Sequence, residues 1–242
     1  MPYVTRLVRL ILPVLALFML CWTSGPDELS AQDEVASQEL VSFGGHVRAT
    51  TTDASRLFVA KGQRLIIYDL SGDPIFGDEP IELTQTSVGD MIESIAYADN
   101  RVYLGLKHGD IVVVDVSDEQ APVVRGRVTV RVNDEENKEV EGVAILGSHL
   151  YCNLGKDGLR VVDVADPMNP QPGANVSAAQ EWINGLVVAN GRLYTLERVR
   201  DTSPTRMVVR VYSTVTPAAP SVEGFAEIDR NVGGLHLAVL AL

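Results

Sequence analysis

The sequence predicts an all-β chain in which one four-stranded antiparallel unit recurs four times, and three observations support this. A short apolar strand recurs at steps of 45, 48 and 43 positions, counted on Leu57, Val102, Leu150 and Leu193. After a tight turn each copy is followed by a second apolar strand: Leu65–Asp69, Ile111–Asp115, Leu159–Asp163 and Val208–Ser213. The gaps between strands are two to eight residues long, too short for the crossover helices of a parallel sheet.

A strand before each pair and a strand after it complete the unit. The preceding strands are Ile92–Ala98, Val140–Leu146 and Ile183–Ala189, and the following strands, each after a proline, are Val123–Val130 and Ser221–Ile228. Hairpin signals separate the paired strands, at Lys61-Gly62, Lys107-His108-Gly109 and Lys156-Asp157-Gly158. Four short strands at this period predict a β-propeller built from four-stranded antiparallel blades.

The paired strands are apolar on both faces, as in Ile111-Val112-Val113-Val114. An antiparallel sheet with one wet face should alternate apolar and polar residues. A blade packs against a neighbour on each side, so continuous apolar runs are what a propeller requires.

The segment Gly158–Pro170 resembles the LVIVD-repeat family of exported bacterial β-propellers, whose unit is similar to G-L-x-V-h-D-h-x-D-P-x-x-P with h apolar. The second unit, Asp110–Pro122, matches less fully. The first unit has an insertion after Asp69, and in the fourth Ser213 and Thr216 replace both aspartates. The resemblance covers about residues 45–230 and implies the fold; it implies no catalytic motif.

Residues 1–31 have the pattern of a secretory signal peptide: Arg6 and Arg9, the apolar run Leu10–Cys21, and a cleavage site predicted after Ala31. The run is too short to span a bilayer, and Leu20 before Cys21 argues against a lipoprotein signal. We therefore expect an exported chain, residues 32–242, at the cell surface, in the periplasm or outside the cell, with no transmembrane span. Only one cysteine, Cys152, remains after cleavage; we expect it to be a small buried hydrophobe.

The net charge of −12, from 20 basic and 32 acidic residues, argues against nucleic acid as a partner. Asn231–Leu242 matches the opening strand of a fifth unit, and Glu39–Phe43 resembles a fourth strand. We therefore expect four blades plus part of a fifth, incomplete at the C-terminus, from a six- or seven-bladed parent.

The candidate site lies at the start of the first strand of each unit. Equivalent positions there are held by Arg48, Glu93, Glu141, Asn184 and Gly233. In a propeller these residues would surround one mouth of the central channel, and the acidic insertion Asn133–Glu139 would overhang the same face. Polar residues are also the default at a solvated entrance, so the pattern alone leaves a ligand-binding role and a merely solvated one open.

Other chemistry-bearing residues predict no metal site. The histidines His46, His108, His149 and His236 do not converge in the repeat register. The repeated aspartates Asp69, Asp115, Asp163, Asp118 and Asp166 recur once per blade, too far apart for calcium, and we expect them to cap turns. The aromatic residues Phe58, Tyr103, Tyr151 and Tyr194 share one register and are expected to pack between blades. Because no nucleophile elbow, zinc-protease motif or phosphate loop occurs, we expect no cofactor.

The sequence favours a non-enzymatic binding or scaffolding module, with a protein or a surface polymer as the partner and Arg48, Glu93, Glu141 and Asn184 as the ligand-binding residues. Its contact surface would also include the loops 133–139 and 197–206. The alternative is a metal-dependent hydrolase of the lactonase type, with Glu93 and Glu141 as ligands at the channel mouth. A purely structural repeat within a larger surface protein is the third possibility.

Overall fold

Four antiparallel sheets of four strands each make up the structure, a computed structural model that describes residues 46–71, 81–130, 139–176, 181–199 and 206–228. These residues belong to one of the two compact units of the chain, Leu40–Leu242; the other, Met1–Glu39, lies outside the described residues. The expected signal peptide, the strand at Glu39–Phe43 and the start of a fifth blade also lie outside them.

Each sheet is formed by four strands that are consecutive in the chain. Sheet 1 contains β1 (Val47–Thr52), β2 (Arg56–Lys61), β3 (Arg64–Asp69) and β4 (Ile81–Ser87). Sheet 2 contains β5 (Ile92–Ala98), β6 (Arg101–Leu106), β7 (Asp110–Asp115) and β8 (Val123–Thr129). Sheet 3 contains β9 (Gly142–Leu146), β10 (His149–Asn153), β11 (Leu159–Asp163) and β12 (Gln171–Asn175). Sheet 4 contains β13 (Glu181–Ala189), β14 (Arg192–Val199), β15 (Arg206–Ser213) and β16 (Ser221–Ile228).

This order confirms the predicted all-β fold of propeller-like blades. Successive sheets pack against each other in chain order, and their first strands β1, β5, β9 and β13 are in contact in series, as the innermost strands of blades are. Over the described ranges the four sheets do not close into a ring.

Three layers of the core lie between neighbouring sheets, and a fourth cluster, of Val59, Ile66 and Tyr68, lies on the other face of sheet 1. Burial on both sides of a sheet explains the strands that are apolar on both faces. Phe58 packs in the layer between sheets 1 and 2, Tyr103 between sheets 2 and 3, and Tyr151 between sheets 3 and 4. The predicted packing role of these three aromatic residues is therefore confirmed. Cys152 is fully buried beside Tyr103, and burial raises the pKa of its thiol, as expected of an inert packing residue.

The repeated aspartates cap turns, as predicted. After β3, β7 and β11, a carboxylate oxygen accepts a hydrogen bond from the backbone N–H two residues further on, at 2.7, 3.0 and 2.9 Å for Asp69, Asp115 and Asp163. Asp118 and Asp166 make the same contact. At the equivalent place in sheet 4, the Ser213 hydroxyl accepts a longer bond of 3.5 Å from Val215. The aspartates thus hold the turns at one end of the sheets.

Candidate functional site

Three of the four predicted site residues, Arg48, Glu93 and Asn184, occupy β-bulges, a feature that the sequence did not reveal. In β1, β5 and β13 the pairing with the second strand shifts register between the residues on either side of the predicted position: Val47 and Ala49 around Arg48, Ile92 and Ser94 around Glu93, Ile183 and Gly185 around Asn184. In sheet 3 the pairing of β9 with β10 is regular, and Glu141 lies just before β9, where its N–H donates to the Asn153 carbonyl at 2.9 Å. We call Arg48, Glu93, Glu141 and Asn184 together the bulge residues, Glu141 being the one that lies beside its strand and not in a bulge.

A buried apolar residue precedes each of the last three bulge residues. Ile92, Val140 and Ile183 are fully buried in the layers between sheets. Burial of this residue fixes the strand, and the extra residue that follows is left out of the regular pairing. A bulge bends the strand and redirects a side chain, and bulges are over-represented beside active sites.

Hydrogen bonds between neighbouring sheets hold the bulge residues in place. The Ile92 N–H donates to the Gly62 carbonyl at 2.8 Å, joining sheet 2 to sheet 1. The Ser94 hydroxyl donates to the Val140 carbonyl at 2.7 Å, and the Asn153 side-chain amide donates to the Ile183 carbonyl at 3.0 Å. In each of these bonds, at least one of the two residues is next to a bulge residue in the chain. The bonds therefore give the site a rigid frame.

Arg48 and Glu93 form an ion pair between sheets 1 and 2. Glu93 Oε2 lies 3.2 Å from Arg48 Nη1; the Glu93 side chain is 5% exposed and that of Arg48 is 37% exposed. Glu93 Oε1 is buried, and no residue in the described part of the chain forms a hydrogen bond with it. Burial raises the pKa of the Glu93 carboxyl, and the Glu139 and Asp90 carboxyls add to the rise, while Arg48 and Lys107 oppose it.

Glu141 faces the other side of the same site, between sheets 3 and 4. The residue as a whole is exposed, but its carboxyl lies against Gly155, where an added Cβ would collide with Glu141 Oε1 and lie 3.1 Å from Trp182 Nε1. Burial raises the pKa of the Glu141 carboxyl, as does the nearby charge of Glu139, while a hydrogen bond with Trp182 lowers it. Gly155 has φ of +58°, a conformation that also favours glycine.

Trp182 is the residue of this site that sequence reasoning missed. Its indole contacts the Glu141 carboxyl, and the Arg198 guanidinium lies 4.9 Å from the ring centroid. Trp182 precedes Asn184 by two residues and is the sole tryptophan of residues 32–242, which could have marked it. Asn184 itself is exposed. Gly233 and most of the two predicted loops, at 133–138 and 200–205, lie outside the described residues.

For the hydrolase alternative, the described residues offer no set of side chains that could together bind a metal ion. Among residues 46–71, 81–130, 139–176, 181–199 and 206–228, no group of three or more His, Cys, Asp or Glu side chains is placed to hold a metal ion. Glu93 is paired with Arg48, and Glu141 with Trp182. His108 contacts Asp90, at 2.9 Å, in the turn between β6 and β7, whereas His149 begins β10 at the other end of its sheet.

The fold and site define a repeat protein of propeller-like blades with polar residues at the start of each first strand. The LVIVD repeat model matches residues 91–130 and 138–176, which are sheets 2 and 3. The chain therefore contains LVIVD repeats, which confirms the predicted resemblance. No curated protein matches the chain.

Solved structures share the fold. The chain is similar to the computationally designed Ika8 protein, with a TM-score of 0.52 and 13% identity over 74% of this chain and 48% of that one. For the computationally designed Ika4 protein the TM-score is 0.50 with 15% identity, over 73% of this chain and 98% of that one. For U3-55K it is 0.55 with 15% identity, over 76% and 53%. The chain thus spans about half the length of Ika8 and U3-55K.

No helix in the described part of the chain is long and apolar enough to cross a membrane.

Proposed function

We propose that this protein is an exported, non-enzymatic binding module that holds a protein or surface polymer on one face. The face consists of the bulge residues Arg48, Glu93, Glu141 and Asn184, and we call it the strand-start face. The sequence predicts that the loops 133–139 and 197–206, most of which lie outside the described residues, belong to it as well. Export is supported by the signal-peptide pattern of residues 1–31.

The placement of all four bulge residues at one structural position carries this proposal. Fold maintenance alone does not require a bulge that holds a polar residue at the same point of three first strands. The residues come from first strands that contact each other in series, so they lie side by side. A rigid frame that presents variable polar residues and loops is the usual construction of a binding surface.

The chemistry of the described residues favours binding over catalysis. Cys152 is fully buried and the pKa of its thiol is raised, so it is a poor nucleophile. The raised pKa of Glu93 suits a general acid or base, but its Oε2 is held by Arg48 and its Oε1 is buried. Trp182, by contrast, offers the kind of aromatic contact that is enriched at interfaces.

Site-specific cross-linking tests the proposal. A photo-reactive residue replaces exposed Asn184 in one version of the chain and exposed Glu119, in the turn after β7 at the other end of the sheets, in a second. Both are incubated with cell envelopes of the native host. We expect one defined cross-linked product from position 184, lost when Glu141→Arg is added, and none from position 119. Equal products from both positions, or a product from 119 alone, would contradict the proposal.

A further inference from the structure

A cavity of about 420 Å³ lies on the face of sheet 1 that points away from sheet 2. It is lined by Lys61 of β2, by Arg64 and Ile66 of β3, and by Glu82 and Gln85 of β4. Ile66 is buried and supplies the apolar part of the wall, while Arg64, Glu82 and Gln85 are exposed, so the cavity opens to solvent. Its volume is typical of a small-molecule site. We call it the sheet 1 cavity.

Two adjacent cations stand at one end of the sheet 1 cavity. Lys61 and Arg64 are register partners across the β2–β3 hairpin, so their side chains lie side by side on this face. In the described part of the chain neither has an ion-pair partner, and Arg64 Nη1 donates to the neutral Gln85 Oε1 at 3.1 Å. Like charges directly opposite each other in a sheet are destabilising. An anion bound between them would offset this repulsion.

Elsewhere in the described ranges, arginines are matched with carboxylates. The chain has 32 acidic residues against 20 basic ones, so counter-charges are plentiful. Seven arginines form ion pairs with Asp or Glu: Arg48, Arg56, Arg125, Arg127, Arg192, Arg206 and Arg210. Two neighbouring cations without a carboxylate, at the wall of a cavity in so acidic a chain, favour an anion as the ligand.

The hairpin that carries the two cations is fixed at both of its turn residues. The Gly62 carbonyl accepts a hydrogen bond from the Ile92 N–H at 2.8 Å, and the Gln63 carbonyl accepts one from the Val88 N–H at 3.0 Å. Lys61 and Arg64 are therefore presented by a preformed turn, which reduces the entropy that is lost when a ligand binds.

Hydrogen-bonding groups at the other end of the cavity favour a sugar as the carrier of the anion. Glu82 is the register partner of Tyr68, which lies four residues along β3 from Arg64, a distance of about 13 Å. The Glu82 carboxylate accepts from the Tyr68 hydroxyl at 3.4 Å, and Gln85 lies between Glu82 and the cations. The exposed carboxylate accepts hydrogen bonds and the amide both donates and accepts them, as the hydroxyl groups of a sugar require.

Three other anions fit this arrangement less well. A phosphate carries nearly two charges, which Glu82 repels more strongly than the single charge of a carboxylate. An aspartate or glutamate side chain brings no hydroxyl group to Glu82 or Gln85. A free α-amino acid holds its ammonium and its carboxylate on one carbon, too close together to reach both ends of the cavity.

We propose that the sheet 1 cavity binds an acidic sugar residue of a surface polysaccharide, with the sugar carboxylate between Lys61 and Arg64 and its hydroxyls on Gln85 and Glu82. The cavity lies at the same end of sheet 1 as Arg48, because Lys61 pairs with Val47, where β1 begins. The inference rests on the proposed function: it extends the strand-start face and selects a surface polymer over a protein among the proposed partners.

Nuclear magnetic resonance on the full chain, labelled with ¹⁵N, tests this directly. The probes are trigalacturonate and trimannuronate, and the matched control is fully methyl-esterified trigalacturonate, which has the same sugars without the charge. We expect at least one acidic trisaccharide to shift the amide resonances of Lys61 and Arg64 saturably, and the ester to bind at least about tenfold more weakly. No saturable shift with either acidic trisaccharide, or equal binding of the ester, would overturn the inference.

Two further probes distinguish the sugar from other sources of negative charge. The peptide acetyl-Gly-Glu-Gly-amide and inorganic phosphate should each bind at least about threefold more weakly than the acidic trisaccharide, because neither engages Gln85 and Glu82 in the same way. A peptide that binds as tightly would identify the acidic side chain of a protein as the ligand. Phosphate that binds as tightly would identify a site for any small anion. Either result would overturn the inference.

Two variants with the same change of charge complete the test. Arg64→Gln should weaken binding of the acidic trisaccharide at least about tenfold. Arg125→Gln, which removes a cation at the other end of the sheets, should leave it within about twofold. Equal weakening in both variants would show attraction to net charge alone and would overturn the inference. The comparison of probes on the unaltered chain needs no variant to fold.

The outcome is separable from that of the cross-linking experiment. If no acidic trisaccharide binds at Lys61 and Arg64 while position 184 still cross-links a partner, this inference fails and the proposed function stands. If a trisaccharide binds and no partner is captured through position 184, the sheet 1 cavity is a sugar site and the proposed function fails.

Discussion

Glu93 in β5 reaches Arg48 in β1 across the boundary between sheets 1 and 2, with Oε2 and Nη1 3.2 Å apart. Both residues are bulged out of the regular pairing of their strands. Over the described ranges, Oε1 of the buried Glu93 has no hydrogen-bond partner. The pair therefore costs stability.

Glu93→Gln should stabilise the protein at neutral pH. Because burial raises the pKa of the Glu93 carboxyl, the folded chain binds this proton more tightly than the unfolded chain, and stability falls as pH rises from the ordinary glutamate pKa to the raised one. Removing the charge should add about 1 kcal/mol to the free energy of unfolding at pH 7 and almost nothing at pH 4. Urea unfolding at both pH values, with Glu119→Gln as the exposed control, checks this. A less stable variant at pH 7 would show that the Arg48 contact outweighs the cost of burial.

The contribution of Asp115 to stability should depend on pH in the opposite way from that of Glu93: it stabilises the fold at neutral pH and loses this effect in acid. Its hydrogen bonds with Ser117 and its ion pair with Arg125 lower the pKa from 3.8 to about 2. The stability it contributes is therefore present above about pH 4 and lost as pH falls towards 2. After allowance for its partial exposure, Asp115→Asn should cost about 1 kcal/mol at pH 7. Unfolding curves between pH 2 and 7 should converge for the two proteins at the acid end; a gap that persists at pH 2 would refute the assignment.

Glu197 anchors a buried polar network within sheet 4 and should be among the costliest residues to remove. Its carboxylate is fully buried, accepts from Arg210 Nε at 2.8 Å and from the Tyr212 hydroxyl at 3.1 Å, and also accepts from Thr195. Glu197→Ala removes the buried acceptor that these three donors share and should cost about 3 kcal/mol.

The matched control for Glu197 is Glu223→Ala. Glu223 pairs with Arg192 at 2.7 Å in the same sheet, but both side chains are exposed, so solvent screens the pair and its loss should cost far less than the loss of Glu197. Thermal and urea unfolding of the two variants give the comparison. Equal costs would show that the Glu197 network contributes no more than a surface pair.

Gly126 and Gly224 test how neighbouring sheets pack. A Cβ on Gly126 in β8 would collide with the Pro167 carbonyl of sheet 3 and lie 2.7 Å from Pro170 Cδ, whereas a Cβ on Gly224 in β16 meets no atom within 4 Å. Gly126→Ala should therefore cost about 2 kcal/mol, because the sheets must separate. Gly224→Ala should change the free energy of unfolding by less than about 0.5 kcal/mol. Similar values for both would contradict the close approach of the Pro167–Pro170 turn to β8.

The sequence predicted the fold well because its repeat is local. Strands buried on both faces, proline-led fourth strands and turn-capping aspartates are all legible within one unit. The predicted fourth strands appear as β8 and β16, and the predicted turn caps appear at Asp115 and Asp163. The prediction differed at the start of sheet 3, where β9 begins at Gly142 and not at Val140.

The site was predicted only in position. The period placed Arg48, Glu93, Glu141 and Asn184 at equivalent points, and the structure gives three of them, all but Glu141, one common feature, the bulge. The contact of Glu141 with Trp182 depends on how sheets 3 and 4 meet, and the orphan oxygen of Glu93 depends on how closely sheets 1 and 2 approach. Distances between units are not encoded in the pattern of any one unit.

The affinity of the isolated partner for two charge-reversal variants tests the central claim most directly. With the partner captured through position 184 purified, its binding is measured to the unaltered chain, to Asn184→Arg on the strand-start face and to Glu119→Arg at the other end of the sheets. The account predicts a loss of at least about tenfold for Asn184→Arg and less than about twofold for Glu119→Arg. Unchanged affinity for Asn184→Arg, or an equal loss in both variants, would contradict the claim that the strand-start face is the binding surface.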